Sequence, residues 1–219
     1  MALQPFSDAI QDYLRELYKF HAEGETATTT ALARRMDVSP PSATAMVKKL
    51  ADLGLVDHTP YRGAKLTRKG EHTALEIVRH HRLLEQYLAH SLGLPLDAVH
   101  DEADRLEHAL SEELEAHIDR TLGYPTHDPH GDPIPDANLQ IADHHLRPLG
   151  ALAAGDEATI RRVPDGDGDL LRYLSKLRLT PGRKVKVTGI EPFGGPVTVS
   201  VGSVRHALSR ELAGLISVA

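Results

Sequence analysis

The run VHDEADRLEH, residues 99–108, holds two imidazoles and four carboxylates in ten positions. Both side-chain types donate lone pairs to divalent cations, and an oxygen-rich set suits a hard ion such as Mn2+. At about 100° per residue, His100, Asp104, Glu107 and His108 share an arc of about 100° on one helix face. Upstream, RHHRLLEQYL sets His81 and Glu85 four residues apart, again on one face. Each pattern alone is also what a solvated face with His–Glu pairs looks like. Two such faces on successive helices, joined by the tight SLGLPLD turn, favour ion binding. A hydrolytic metal centre is the competing chemistry. No HExxH or paired-carboxylate motif supports it, so the chain is not read as an enzyme.

Several elements must position these groups. Ile10, Leu14, Leu17 and Tyr18 form a helical stripe over 7–22, with Ser7 placed to cap it. Thr28-Thr29-Thr30 opens a second helix, and Ser39-Pro40-Pro41 opens a third that stops at Gly54. LVDHTPYRGAKLT reads as two short strands around a turn at 61–63. Helices follow over 71–92, about 96–109 and about 111–122. The stretch GYPTHDPHGDPIPDANLQ, 123–140, reads as an irregular surface segment. His127, His130, His144 and His145 are assigned to a polar linker in preference to a further metal site. Beyond residue 150, β-like runs at 157–163, 183–190 and 197–204 surround a helix at 168–178, a small and mostly β domain.

Composition narrows the function. The chain of 219 residues has no Cys, which excludes disulfides and thiolate metal sites. No run approaches the roughly 20 apolar residues of a membrane span. MALQPFSDAIQDYL lacks the basic start and apolar core of a secretion signal, so a cytoplasmic protein is expected. The net charge of −6 is unevenly spread. Residues 34–69 carry eight Lys/Arg against three Asp/Glu, whereas 73–145 carry four against fifteen, with ten of the fourteen His. One part suits polyanions and another suits cations.

Helix, turn, helix and a two-stranded wing make a winged helix-turn-helix. Its reading helix would lead into the major groove with Ser39, Pro41, Ser42 and Thr44, followed by Lys48 and Lys49. Lys48, Lys49 and the wing residues Arg62 and Lys65 would attract phosphate, and Thr29 is a further DNA-binding candidate. No Arg, Asn or Gln stands ready for bidentate base contacts. Specificity would therefore rest on thymine methyls, through Pro41 and Ala45, and on DNA shape. A winged-helix regulator that senses an organic ligand is the alternative reading.

IVRHHRLLEQYLAHSLGLPLDAVHDEADRLEH, residues 77–108, resembles the metal-binding and dimerisation core of the diphtheria toxin repressor family, iron- and manganese-dependent transcriptional repressors. The similarity runs through SDAIQDYLRELY, the GLVDHTPYRGAKLTRKG wing, PHGDPIP and the C-terminal domain. The resemblance implies an α+β chain of three parts. These are a winged helix-turn-helix at 1–72, a helical dimerisation and metal-binding domain at 73–145, and an SH3-like (FeoA-like) domain at 146–219. It implies a homodimer that binds double-stranded DNA and controls metal homeostasis genes, with no membrane or organic substrate as partner. The primary metal site falls on Asp12, Asp104, Glu107 and His108, and the ancillary site on His81, Glu85 and His100. Asp167 is the best placement for a ligand from the SH3-like domain, with Asp165 and Asp169 as alternatives. An EF-hand reading of DGDGD fails, because Leu170 and Lys176 stand where Gly and Glu belong. Iron-responsive members carry sulfur ligands where this chain has Asp12 and Asp104, so Mn2+ is the expected effector and Fe2+ the alternative. Manganese-type members often add a carboxylate one turn after the first Asp; here that position is Arg15, which argues against a second ion.

Overall fold

Ser7 takes the extended backbone of an N-cap, and α1 (Asp8–Ala22) follows it. The serine side chain makes no cap bond, contrary to expectation; its backbone carbonyl instead accepts from the N–H groups of Ile10 and Gln11. The predicted threonine cap forms, and Ser39 caps the helix it opens. Thr28 Oγ1 accepts from Ala31 N–H at the start of α2 (Thr29–Arg35), and Ser39 Oγ accepts from Ser42 N–H at the start of α3 (Pro40–Asp52). Strands β1 (Val56–Thr59) and β2 (Gly63–Leu66) pair antiparallel. Helix α4 (Arg68–Leu92) begins three residues before the predicted 71, because Thr67 Oγ1 accepts from Gly70 N–H and caps it.

The computed structural model describes residues 6–59, 63–141 and 145–219. The chain forms two compact units: Met1–His81 with Glu107–Glu115 and Pro135–Gln140, and Arg82–Leu106 with Ala116–Ile134 and Ile141–Ala219. In the first unit, Ile10, Leu14, Leu17, Phe20, Leu32, Val47, Leu50, Leu55 and Ile77 belong to a mostly aliphatic core. Gly70 lets the start of α4 touch the wing. A Cβ there would stand 1.9 Å from the Leu55 carbonyl oxygen.

In the second unit, α5 (Val99–Leu106) is shorter than the predicted 96–109. It gives way to a 3-10 turn at Glu107–Ala109, and α6 (Glu112–Thr121) follows. Glu107 and His108 therefore leave the α-helical face on which a uniform helix would place them. The C-terminal sheet contains β3 (Arg147–Pro148), β4 (Glu157–Arg162), β5 (Lys184–Ile190), β6 (Val197–Val201), β7 (Val204–Leu208) and β8 (Ser217–Val218), in the order β3-β8-β4-β5-β6-β7. The run 197–204 was read as one strand; it turns at Gly202, with φ +59°, into β7. Helix α7 (Gly168–Lys176) lies where predicted, and α8 (Arg210–Leu215) was not foreseen. Leu149, Ile160, Leu171, Leu174, Val187, Val199 and Ile216 fill this core.

The segment 123–140 corrects the sequence reading. It is irregular, yet Asp128, His130, Asp132 and Ile134 are buried, His130 completely. Asp128 Oδ1 accepts from the N–H groups of His130, Gly131 and Asp132 at 2.8–2.9 Å, which supplies the backbone partners a regular element would provide. Gly131, at φ +94°, lies so close to Arg161 that a Cβ would stand 1.7 Å from its carbonyl oxygen. Val163 N–H donates to the His130 carbonyl.

Replacing Gly70 with Ala should lower stability by about 2–3 kcal/mol, since backbone must move to admit the methyl. Equilibrium urea unfolding of the two chains measures the difference.

Candidate metal centres and nucleic-acid interface

Three sequence-predicted ligands converge in the first unit. Asp12 on α1 meets Glu107 and His108 of the 3-10 turn, and one donor atom from each lies within 4.8 Å of the others. His108 Nε2 is 3.1 Å from Asp12 Oδ1 and 3.7 Å from Glu107 Oε1. Adjacent donors of an octahedral ion with bonds of about 2.2 Å stand about 3.1 Å apart, so the spacing fits a small dication. Gln11 sets the tautomer. Its Nε2 donates to the Phe6 carbonyl at 2.9 Å, which turns Oε1 toward His108 Nδ1 at 3.2 Å. Nδ1 then donates to Gln11, which leaves Nε2, on the Asp12 side, as the nitrogen that could give a lone pair to an ion. Sequence reading missed Gln11; its place beside Asp12 was the available signal.

The same cluster contains Arg15, one turn after Asp12 on α1. Its Nη1 donates to both Glu107 oxygens, at 2.8 and 2.7 Å, and lies 2.8 Å from His81 Nδ1. His81 Nδ1 is also 2.6 Å from Glu107 Oε2. His81, assigned by resemblance to the ancillary set, thus sits in the first unit against Glu107. Both it and Glu107 are buried.

In the second unit, Glu85 Oε1 is 2.9 Å from His100 Nδ1, and His100 Nε2 is 3.9 Å from Asp104 Oδ2. Glu85 also meets two residues assigned to surface linker: Glu85, Asp128 and His130 are all buried, with donor atoms inside 4.8 Å. His130 Nδ1 stands 3.7 Å from Glu85 Oε2 and has no hydrogen-bond partner, while its Nε2 is 3.1 Å from the Leu96 carbonyl oxygen. Asp132 Oδ2 is likewise buried without a hydrogen-bond partner. Arg82 and Arg162 approach these acids, with Arg162 Nε 2.9 Å from Asp132 Oδ1. Burial works against a charged His130, but the Glu85 and Asp128 carboxylates outweigh it and hold its pKa at about 9. Burial, joined by the charges of Glu85 and Asp132, pushes the Asp128 carboxyl well above its usual range. The donors are oxygen-rich and buried, as a dication site requires. PHGDPIP was visible as a motif, but its Pro, Gly and Asp content signalled a loop and gave no measure of depth.

Asp167 has a local role. It caps α7, accepting from Leu170 N–H at 3.0 Å, and Asp169 pairs with Arg172. On the nucleic-acid side, Ser39, Pro41, Ser42, Ala45, Lys48 and Lys49 are exposed along α3, with Thr44 and Thr29 half-buried. Ser39 and Thr44 also serve the helix: Ser39 Oγ caps it and pairs with Ser42 Oγ, and Thr44 Oγ1 donates to the Pro40 carbonyl. Arg62 lies outside the described residues. No described helix is long and apolar enough to cross a membrane.

Three family models match. The iron dependent repressor N-terminal DNA binding domain covers residues 5–64, the iron dependent repressor metal binding and dimerisation domain covers 67–136, and the FeoA domain covers 147–219. The chain is 33% identical to the iron-dependent repressor IdeR of Mycobacterium tuberculosis over 223 aligned positions, covering 96% of each. It is 34% identical to the diphtheria toxin repressor of Corynebacterium jeikeium over 205 positions, covering 93% of this chain and 76% of the relative. A manganese-dependent transcriptional repressor in complex with manganese superposes with a TM-score of 0.86 at 39% identity, covering 95% of this chain and 98% of the other. The manganese regulator SloR gives 0.79 at 29%, covering 96% and 97%.

The raised His130 pKa has a signed consequence. A histidine at about 9 when folded and 6.5 when unfolded contributes stability that is complete below 6.5 and lost as pH rises through about 9. Protein kept in chelator should therefore lose stability across that window, and His130→Gln should flatten the slope. Thermal unfolding at a series of pH values reads both.

Proposed function

The chain belongs to the diphtheria toxin repressor family of metal-dependent transcriptional repressors, and we propose that it senses Mn2+ through Asp12, Asp104, Glu107 and His108. The carrying observation is the convergence of Asp12, Glu107 and His108, with Nε2 of the imidazole turned toward the two carboxylates. Asp104 is assigned from its place three residues before Glu107. Its carboxylate, that of Asp12, and a chain without Cys support a hard ion over a soft one. Fe2+ ranks just above Mn2+ for such donors and is the competing effector. Glu85, Asp128 and His130 are a further candidate ion site, and His100 of the proposed ancillary set is hydrogen-bonded to Glu85. The set of His81, Glu85 and His100 that the resemblance implied stands as a proposal beside it.

When bound, the ion supplies two positive charges for the clustered carboxylates to share. Asp12 precedes the reading helices in the chain, and Glu107 and His108 follow them. Donors from both sides, held together, fix α1 against the 3-10 turn and so set where each reading helix lies in a homodimer. Without that shared charge, Asp12 and Glu107 repel and the junction loosens. Moving a docking-competent state from about 1% to 99% takes about 5.5 kcal/mol of differential binding. Lys48 and Lys49 supply phosphate attraction, and Pro41 and Ala45 offer apolar contacts to thymine methyls. The protein acts in the cytoplasm, on double-stranded operators of metal homeostasis genes.

Operator fragments selected from random DNA in the presence of Mn2+ provide the assay. Asp12→Ala and Asp104→Ala should each weaken Mn2+-dependent binding at least about 100-fold while circular dichroism stays unchanged, and Glu85→Ala should weaken it less. Full operator affinity in EDTA sinks metal gating. Titration with Mn2+, Fe2+ and Zn2+ ranks the effectors. Lys48→Ala should reduce the slope of log affinity against log salt by about 0.9.

A further inference from the structure

Glu107 is a bridging carboxylate. Its side chain is 1% exposed, and its two oxygens face different neighbours. Oε1 turns toward His108, whose Nε2 is 3.7 Å away and adjoins Asp12. Oε2 turns toward His81, whose Nδ1 is 2.6 Å away. The cluster therefore has two sides that share Glu107, with Asp12 and His108 on one and His81 on the other, and Arg15 touches both Glu107 oxygens.

The His81 side holds a positive charge that belongs to the chain. A single nitrogen, Arg15 Nη1, has Glu107 Oε1 at 2.8 Å, Oε2 at 2.7 Å and His81 Nδ1 at 2.8 Å. A guanidinium that matched a carboxylate edge to edge would spread its two bonds over two nitrogens. Here oxygens and an imidazole nitrogen gather around one cationic atom, as donors gather around an ion. His81 Nδ1 either accepts from Arg15 or donates to Glu107, since Arg only donates and a carboxylate only accepts. In both states Arg15 keeps its bonds to Glu107. Arg15 and Asp12 lie on the same helix, three residues apart, so the rigid turn of α1 fixes the spacing between the two sides.

We propose that Arg15 is a tethered cation that fills the His81 side, so that the primary site takes one divalent ion and not two. The inference rests on the reading of Asp12, Glu107 and His108 as an ion site. Arg15 compensates the buried Glu107 charge permanently, leaving only the Asp12 side to respond to metal. Lys at this position would preserve the charge. Glu would remove it and add a donor, opening the His81 side to an ion.

Equilibrium dialysis of the full chain against Mn2+, with electron paramagnetic resonance at saturation, tests this. Two Mn2+ ions sharing Glu107 would be exchange-coupled, whereas an ion in the distinct Glu85–Asp128–His130 set would give an isolated signal. The natural chain and Arg15→Lys should show isolated ions only. Arg15→Glu should bind one more ion per chain and show the coupled signal; if circular dichroism finds it unfolded, Arg15→Gln takes its place with the same result required. A coupled pair in the natural chain overturns the proposal, as does a folded Arg15→Glu that gains no ion. A natural chain whose Mn2+ uptake is unchanged by Asp12→Ala refutes the primary site itself, a separate failure from the two-ion result.

Discussion

The buried charge of Glu107 is the constraint around which the first unit is arranged. A carboxylate taken out of water needs nearby positive charge and hydrogen-bond donors, and stripping one partner from such a group costs about 3–5 kcal/mol. Glu107 obtains part of what it needs from Arg15 and His81. Oε1, which also accepts from Arg15, looks toward His108 and Asp12, where a further carboxylate raises the demand for positive charge. A chain arranged in this way is stable enough to wait, yet still gains from a divalent ion. Sensing requires that combination.

A second buried cluster repeats the theme with different parts. Glu85, Asp128 and Asp132 crowd around His130, Arg82 and Arg162, and the histidine answers by holding its proton to about pH 9. The loop that brings Asp128 and His130 in is shaped by one aspartate oxygen accepting three backbone N–H groups, and by a glycine pressed against a carbonyl. Side chains from one helix and one irregular loop, with Arg162 of β4 at the edge, thus meet largely out of water, where charge matters more.

The reading head depends on simpler physics. Short helices of seven and thirteen residues are marginal alone, and the hydroxyl caps at Thr28 and Ser39 supply partners for their first N–H groups. Burial of Leu32, Val47, Leu50 and Leu55 then orients α3 so that Pro41, Ala45, Lys48 and Lys49 face outward. Gly70 brings the start of α4 against the wing, which links the DNA-reading elements to the helix that carries His81.

Local patterns in the sequence were enough for the helices up to α7, the threonine cap of α2, the wing and the ligand-bearing stretches around Asp12 and Glu107. These depend on periodicity and turn chemistry, which neighbouring residues set among themselves. The strands of the C-terminal sheet were legible only in part, because Gly202 divides one apolar run and β8 acquires its identity from pairing between β3 and β4. Depth was not legible at all in PHGDPIP, whose composition is that of a surface loop. The 3-10 turn at Glu107 was equally hidden, since its residues continue a helical pattern. Sequence alone established that acidic and imidazole donors were present in metal-binding number. Tertiary structure decided their grouping: it set Arg15 and His81 on Glu107, and His130 beside Glu85. The reason is that charge compensation in a buried site depends on distances of a few ångströms between residues far apart in the chain.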